Sequence, residues 1–319
     1  MKLRGCLENM RVVELINDCL GRFLAENENS IILGEDILSP YGGAFKATSE
    51  LSAKYPDRVI TTPISEAGIV GFATGAAISG KAVCVEIMFG DFLTLCTDQI
   101  INHLSKLPWV YDNQVSAPVV IRTPMGGGRG YGATHSQSLE KHFCGVPGLS
   151  VCAISEFSDI GKIYDDAFAS MGPVLIIENK SIYPRQLRTN RFRDIADADL
   201  AIVTYGGTTE LCVSVAEMLE EEEIRVKVIE VNYLSPLDTQ TLFAELGQTD
   251  VVLSVEEGSP GWSFSSELAH ALINRKIRAF KSVTSSDNPI PSSTEQEKEC
   301  LPSREKIHDA VVQLIEETL

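Results

Sequence analysis

Apolar residues at helical spacing run from Met10 to Asn27, with Val13, Ile16, Leu20, Phe23 and Leu24 on one face, and predict a helix there. Ser30 to Leu33 reads as a short strand, and Arg58 to Thr62 is a second strand-like run. Glu66 to Ser79 is a helix of small residues, followed by a strand at Ala82 to Ile87. Asp91 to Lys106 reads as another helix, largely apolar beyond its first turn. Strands at Pro118 to Arg122 and Leu149 to Ile154, a helix at Asp159 to Ser170 and a strand at Val174 to Ile177 continue the alternation. This order predicts α/β layering on a mostly parallel sheet.

Hydrophobic periodicity lapses over residues 179–199, which hold five of the 27 basic residues: Lys180, Arg185, Arg188, Arg191 and Arg193. That stretch reads as a connector lying over the surface. The pattern restarts with a strand at Leu200 to Tyr205, a Gly206-Gly207 turn and a helix at Thr208 to Glu220. Strand Val226 to Val231, helix Asp238 to Leu246, strand Val251 to Val255 and helices Ser263 to Asn274 and Ser303 to Glu317 follow. The expected organisation is a parallel-sheet domain over 1–180, a connector over 181–199 and a smaller α/β domain over 200–319.

A length of 319 residues suits two domains. No uncharged apolar run reaches the roughly 18 residues of a transmembrane helix, and the N-terminus lacks the apolar core of a secretory signal. A net charge of −17 excludes the basic face that a nucleic-acid partner needs, and equally a polybasic membrane patch. Acidic clusters such as Glu220 to Glu223 either sit solvated at a helix end or steer a basic partner domain. The eight cysteines form no CxxC pair, and Cys84, Cys152 and Cys212 fall in apolar patterns. That is reduced usage, expected of a cytoplasmic protein, and no Cys/His pair has metal-ligand spacing.

Three segments carry candidate chemistry. Ile64-Ser65-Glu66-Ala67-Gly68 sets a carboxylate at the mouth of the small-residue helix. Glu66 is either an N-terminal charge favoured by the helix dipole or a buried acid holding a ligand. The small side chains of that helix suit tight packing on the sheet, or a subunit interface beside a ligand. Glu86-Ile87-Met88-Phe89-Gly90-Asp91-Phe92 closes a strand, where an aromatic such as Phe92 faces either the core or a ligand crevice. After Arg122, five glycines in the seven residues 126–132 make a loop of wide backbone freedom that ends at His135. The Gly-Lys-Ser/Thr of a phosphate loop is missing. His135 is either structural or a group for proton transfer.

Together, ILGEDI (32–37), PISEAGIVGFATGAA (63–77), EIMFGDF (86–92), DQIIN (98–102), the loop from Arg122 to Gln137, PGL (147–149) and VEEG (255–258) resemble a family. It is the beta subunit of thiamine-diphosphate-dependent 2-oxo acid dehydrogenase E1 components, of pyruvate, branched-chain and acetoin type. The resemblance covers essentially the whole chain. It implies a pyrimidine-binding domain followed by a transketolase-type C-terminal domain. Glu66 matches the glutamate that hydrogen-bonds N1′ of the cofactor's aminopyrimidine, a role that implies a desolvated acid with a raised pKa. Phe92 and Ile64 match the aromatic and apolar residues against that ring. His135 matches an active-site histidine that handles protons or the acyl group during transfer to lipoamide. Glu35 of the GED motif is either an acid supporting the site from behind or a cap or surface acid.

The same resemblance implies an incomplete site. The family's diphosphate is held through Mg²⁺ by a Gly-Asp-Gly motif, and this chain has none, Gly90-Asp91-Phe92 being the nearest string. Mg²⁺ then belongs to a separate alpha subunit in an α2β2 assembly, with a lipoyl-bearing E2 acyltransferase as the further partner and no metal ligand on this chain. Residues 167–172 lack the acid that helps some relatives hold potassium, so no potassium is expected. The alternative is half of a split transketolase-like enzyme that moves a ketol unit between sugars, for which Arg122 and Arg129 would stand at the substrate mouth. A scaffold subunit is a third reading, opposed by the joint presence of Glu66, Phe92 and His135.

Overall fold

The computed structural model of the chain describes residues 10–188, 195 and 197–318; Cys6, Arg191 and Arg193 lie outside them. The first half runs α1 (Val12–Glu26), β1 (Ser30–Gly34), β2 (Val59–Thr61), α2 (Glu66–Ile78), β3 (Ala82–Glu86), β4 (Val119–Met125), β5 (Ser150–Ile154), α3 (Ile160–Ala169) and β6 (Val174–Asn179). The second half runs β7 (Leu200–Thr204), α4 (Thr209–Glu221), β8 (Val226–Glu230), β9 (Tyr233–Ser235), α5 (Thr239–Leu246) and β10 (Val251–Val255). It ends with α6 (Phe264–Leu272), β11 (Ala279–Val283), α7 (Thr294–Cys300) and α8 (Arg304–Thr318). The seven-stranded sheet has the order β2-β1-β3-β4-β6-β5-β9, and the four-stranded sheet β11-β10-β7-β8. Among the described residues every pairing within the two sheets is parallel except β5 with β9, where Val151 opposes Ser235 and Cys152 opposes Tyr233. The result is a two-domain α/β fold in which β9, from the second half, completes the first sheet.

Side-chain alternation along the strands sorts the core into layers. Ile31, Leu33, Val83, Val85, Val119, Ile121, Val151, Ala153, Leu175 and Ile177 face one way. They join Ala201, Val203, Val252 and Leu268 of the second domain in one continuous apolar core. The intervening Ile32, Cys84, Val120, Cys152, Ile154, Val174 and Ile176 face the other way, onto Ile16, Leu20 and Leu24 of α1 and Ile163 of α3. Leu200, Ile202, Val251 and Leu253 pack outward against Cys212 and Val215 of α4 and Ile307 and Val311 of α8. A core shared between two domains fixes one against the other, so groups from both can be held in one site.

Helix α2 uses only half its surface. Ile69, Val70, Ala73 and Ala77 are buried in the shared core, while Gly68, Gly71, Phe72, Gly75 and Ile78 are exposed. The sequence predicts a single helix over Asp91 to Lys106, and the structure breaks it. A 3₁₀ stretch spans Gly90–Cys96, a wide π-type turn spans Gln99–Leu104, and one α turn spans Leu107–Val110. Hydroxyls compete for the helical carbonyls there. Thr94 donates to the Asp91 carbonyl at 2.8 Å, Thr97 to Leu93 at 3.0 Å and Ser105 to Ile101 at 2.9 Å.

Candidate active site

The segments singled out from sequence follow the carboxyl ends of adjacent parallel strands, where open α/β sheets bind ligands. Glu35 follows β1, Ile64 and Glu66 follow β2, Phe89 and Phe92 follow β3, the glycine-rich loop with His135 follows β4, and Lys180 follows β6.

Ser65 caps α2, its hydroxyl accepting from the Gly68 N–H at 3.3 Å. That cap sets Glu66 as the first residue of the helix, where it is 5% exposed. The Glu35 carboxyl, 5% exposed, has its pKa raised by burial first and then by the charges of Glu66, Asp36 and Glu86, with the Ser65 backbone acting the other way. Glu35 and Glu66 therefore face one another electrostatically on neighbouring strand ends. Ile64, 85% exposed, stands open beside them.

After β3 and β4, on the same carboxyl edge of the sheet, is an aromatic cluster that the sequence revealed only in part. The Phe92 and His135 rings lie edge to face at 5.1 Å, and Phe89 meets His135 at 4.9 Å, Phe92 at 5.8 Å and Tyr131 at 6.0 Å. The Lys180 ammonium sits 5.3 Å from the centroids of both Phe89 and Tyr131 and donates to the His135 carbonyl. Thr134 Oγ1 pairs with His135 Nδ1 at 2.9 Å, so Nε2 is the ring nitrogen without a hydrogen bond among the described residues. Burial lowers the Lys180 pKa to about 8, against the opposing pull of Asp91, Glu257 and Glu297. The Asp91 carboxyl is raised by burial, with Gln137, Lys180 and His135 acting the other way.

The glycine-rich loop takes positive φ at alternate residues: +94° at Gly126, +85° at Gly128, +69° at Gly130 and +79° at Gly132. That alternation turns successive N–H groups toward a common side, the geometry of an anion nest. Carboxylates of the second domain occupy it. Glu297 accepts from the Gly128 N–H at 2.9 Å and the Gly130 N–H at 2.8 Å. Glu257 accepts from the Gly127 N–H at 2.6 Å, the Ser138 hydroxyl at 3.1 Å and the Asn179 amide at 2.8 Å.

Arg122 is a correction to the sequence reading. It does not stand at a substrate mouth: it is fully buried within the sheet, paired with Glu86 on β3 and held bidentately by Glu178 on β6, with Nε to Oε1 at 2.8 Å. Tyr183 donates to Glu178 at 2.5 Å, and the Ala44 N–H donates to Glu86 at 2.7 Å. Alternation on β4 explains this, since Arg122 points to the α1 side with Val120. Arg129 does lie on the exposed loop, its guanidinium 4.8 Å from the Phe45 ring centroid and donating to the Lys180 carbonyl at 3.1 Å.

Several polar atoms along this edge are buried without a hydrogen bond among the described residues: Glu35 Oε1, Thr62 Oγ1, Asp91 Oδ2, Ser136 Oγ and Gln137 Nε2. Such atoms are rare in a finished interior, and these are five of the ten found among the described residues. Among the described residues, no three His, Cys, Asp or Glu side chains converge as a bound metal ion would need, and no helix is long and apolar enough to cross a membrane. Phe89, Tyr131, Lys180, Glu257 and Glu297 escaped the sequence reading as site residues. Lys180 was within reach of it, as the first residue after a parallel strand.

Two family models match the chain: the transketolase pyrimidine binding domain over residues 8–186 and the transketolase C-terminal domain over 193–307. The chain is 31% identical over 317 residues to the acetoin:2,6-dichlorophenolindophenol oxidoreductase subunit beta of Cupriavidus necator, covering 92% of this chain and 93% of the relative. It is 30% identical over 319 residues to the mitochondrial pyruvate dehydrogenase E1 component subunit beta-1 of Arabidopsis thaliana, covering 94% and 88%. A solved structure, a split gene transketolase in an inactive beta4 tetramer, superposes with a TM-score of 0.77 over 95% of this chain and 98% of that one, at 21% identity, a likeness of fold.

Proposed function

This chain belongs to the transketolase-like family, with a pyrimidine-binding domain ahead of a C-terminal domain, and from that premise we propose that it is the beta subunit of an E1-type 2-oxo acid dehydrogenase. It acts in the thiamine-diphosphate-dependent decarboxylation of a 2-oxo acid and the reductive acylation of lipoamide, with an active site shared with an alpha subunit. Relatives named as pyruvate dehydrogenase E1 and acetoin oxidoreductase beta subunits, matched along nearly their whole length, support the reading. The observation that carries it is Glu66, buried at the mouth of a capped helix on the ligand-binding edge of the sheet.

The residues fit an aminopyrimidine. A buried acid faces a second acid, an aromatic ring stands at a strand end on the same edge of the sheet, and orphaned polar atoms lie along that edge. When bound, thiamine diphosphate supplies the electron sink that decarboxylation of a 2-oxo acid requires. Glu66 would hold the proton shared with the pyrimidine N1′. Phe92 and Ile64 would lie against the ring, and Glu35 stands beside Glu66 as a second acid. His135 holds or delivers a proton through Nε2 during acyl transfer. The sequence has no Gly-Asp-Gly, which supports assigning Mg²⁺ and the diphosphate to the alpha subunit.

Helix α2 supports a partner at this edge. An added Cβ at Gly71 or Gly75 would meet nothing within 4 Å, so no atom of this chain asks for glycine there. Phe72 is 61% exposed on the same face. A closely approaching helix from the alpha subunit or a second copy, in an α2β2 assembly, accounts for both. The lipoyl-bearing E2 acyltransferase is the further partner, docking at the C-terminal end, and the cytoplasm is the proposed compartment.

The test is a pair of measurements. The purified chain alone shows no Mg²⁺-dependent thiamine-diphosphate binding; tight binding by it overturns the shared site. Assembled with its alpha chain, Glu66→Gln abolishes exchange of the cofactor's C2 proton while the complex still forms. Unchanged exchange removes Glu66 from the role and the proposal with it.

A further inference from the structure

We propose that the C-terminal domain is a working part of the site: Glu257 and Glu297 are positioning residues that hold the glycine-rich loop in the conformation that presents His135. The inference rests on the reading of His135 as a proton-handling group and extends it to residues that reading does not include.

Three observations carry it. First, the loop cannot hold its own shape. Four glycines at positive φ within seven residues give a backbone with little intrinsic preference, and its own backbone supplies few ties. Gly126 N–H reaches Gln137 at a long 3.4 Å and His135 N–H reaches Gly132 at 3.1 Å. Second, the second domain supplies what is missing. Both oxygens of Glu297 are used on one loop, Oε1 on Gly128 and Oε2 on Gly130, and Glu257 takes Gly127. These are charge-assisted bonds, and the Glu297 acceptor is itself buried, at 1% exposed, with Glu257 partly buried. Gly127 is packed against the second domain as well, since an added Cβ would lie 3.0 Å from the Leu301 side chain. Third, the grip is continuous with the histidine. Glu257 also holds Ser138 and Asn179, the residues that close the loop and end β6. The next residue, Lys180, donates to the His135 carbonyl. A nest that elsewhere would bind a phosphate or sulfate is filled from within, and what it fixes is the imidazole against Phe89 and Phe92.

Each carboxylate oxygen faces a donor, so an amide is the wrong replacement. In Glu297→Gln one acceptor becomes an NH₂ that opposes a backbone N–H. Glu297→Asp keeps the charge and shortens the reach.

The test uses the full chain and its complex with the alpha subunit. Hydrogen exchange in the full chain reads the clasp directly: in Glu297→Gln the amides of Gly128 and Gly130 exchange about 10- to 100-fold faster, as the loss of a charge-assisted bond predicts. Amides of β4 such as Val120 and Ile121 stay protected, which separates local release from unfolding. Exchange unchanged at Gly128 and Gly130 overturns the proposal. In the complex, Glu297→Gln slows acyl transfer to lipoamide on the order of tenfold with decarboxylation changed less than about twofold, because misplacement of one group affects the step that uses it. Glu297→Asp recovers part of the loss. Freed amides with full acyl transfer, while His135→Ala impairs it, overturn the positioning role. Freed amides with His135→Ala also at full acyl transfer overturn it too, and in that case the fault lies in the reading of His135, which His135→Ala alone exposes.

Discussion

Replacing Arg122 by Met removes the one cation from a buried group that holds Glu86, Glu178, Tyr164 and Tyr183. All three ionic side chains have no exposure, so the two carboxylates left behind cannot recover their hydration. Breaking a buried pair by deleting one partner costs about 3–5 kcal/mol. For a cooperative unit of this size each kcal/mol lowers Tm by about 2–4 °C, so the variant melts roughly 6–20 °C below the parent. The deficit depends on pH with a definite sign. Burial already holds the Glu86 carboxyl above its ordinary range while Arg122 pulls it down, and without Arg122 it rises further. Over the interval between the unfolded value and that raised folded value, the native state binds more protons than the unfolded state, so stability falls as pH increases. The variant's deficit is therefore smallest near pH 4–5, the unfolded range of a glutamate, and grows toward pH 7. Urea unfolding of both chains at pH 5 and pH 7, followed by circular dichroism, measures it. The triple variant Glu86→Gln, Arg122→Met, Glu178→Gln regains much of the loss, because no uncompensated charge remains. A single variant within about 1 kcal/mol of the parent at pH 7, or a deficit larger at pH 5 than at pH 7, refutes the reasoning.

Two other measurements test the interior. Cys84 and Cys212 have no exposure and burial pushes both thiols up to about 12, so iodoacetamide at pH 8 leaves them unmodified in the native chain and alkylates them once urea unfolds it; native alkylation would show the packing to be open. Lys180, lowered to about 8 by burial, binds fewer protons folded than unfolded between pH 8 and its ordinary value near 10.4. The parent therefore gains stability relative to Lys180→Met as pH rises from 8 to 10, and a flat difference would show that Lys180 is solvated.

What the sequence made legible follows from the range of the forces involved. The short continuous apolar runs of β3, β4 and β7, buried on both faces, are a local signal, and those strands form where the runs lie. Helix α2 and the buried Glu66 follow from Ser65, a cap whose action spans three residues. The helix expected over Asp91 to Lys106 failed because Thr94, Thr97 and Ser105 lie among its apolar residues and bond its carbonyls. Arg122 was misplaced for a different reason: an arginine after a strand looks like a ligand for an anion, and its partners Glu86 and Glu178 lie 36 and 56 residues away. Glu257 and Glu297 are farther still, 130 and 169 residues from the glycines they hold. No pattern within a window links them, and only the core shared by the two sheets brings them together.

Strand β9 has a practical consequence. Its three residues come after the connector, yet they cover the free edge of β5. A fragment ending at residue 199 would leave β5 paired with β6 on one side and bare on the other, an exposed edge of the kind that recruits neighbours into aggregates. The two halves are thus a single unit for expression, and fragments or chimaeras should be cut elsewhere than in residues 181–199, where Ile182, Tyr183 and Leu187 are buried in the core and do not lie over the surface as the sequence led us to expect.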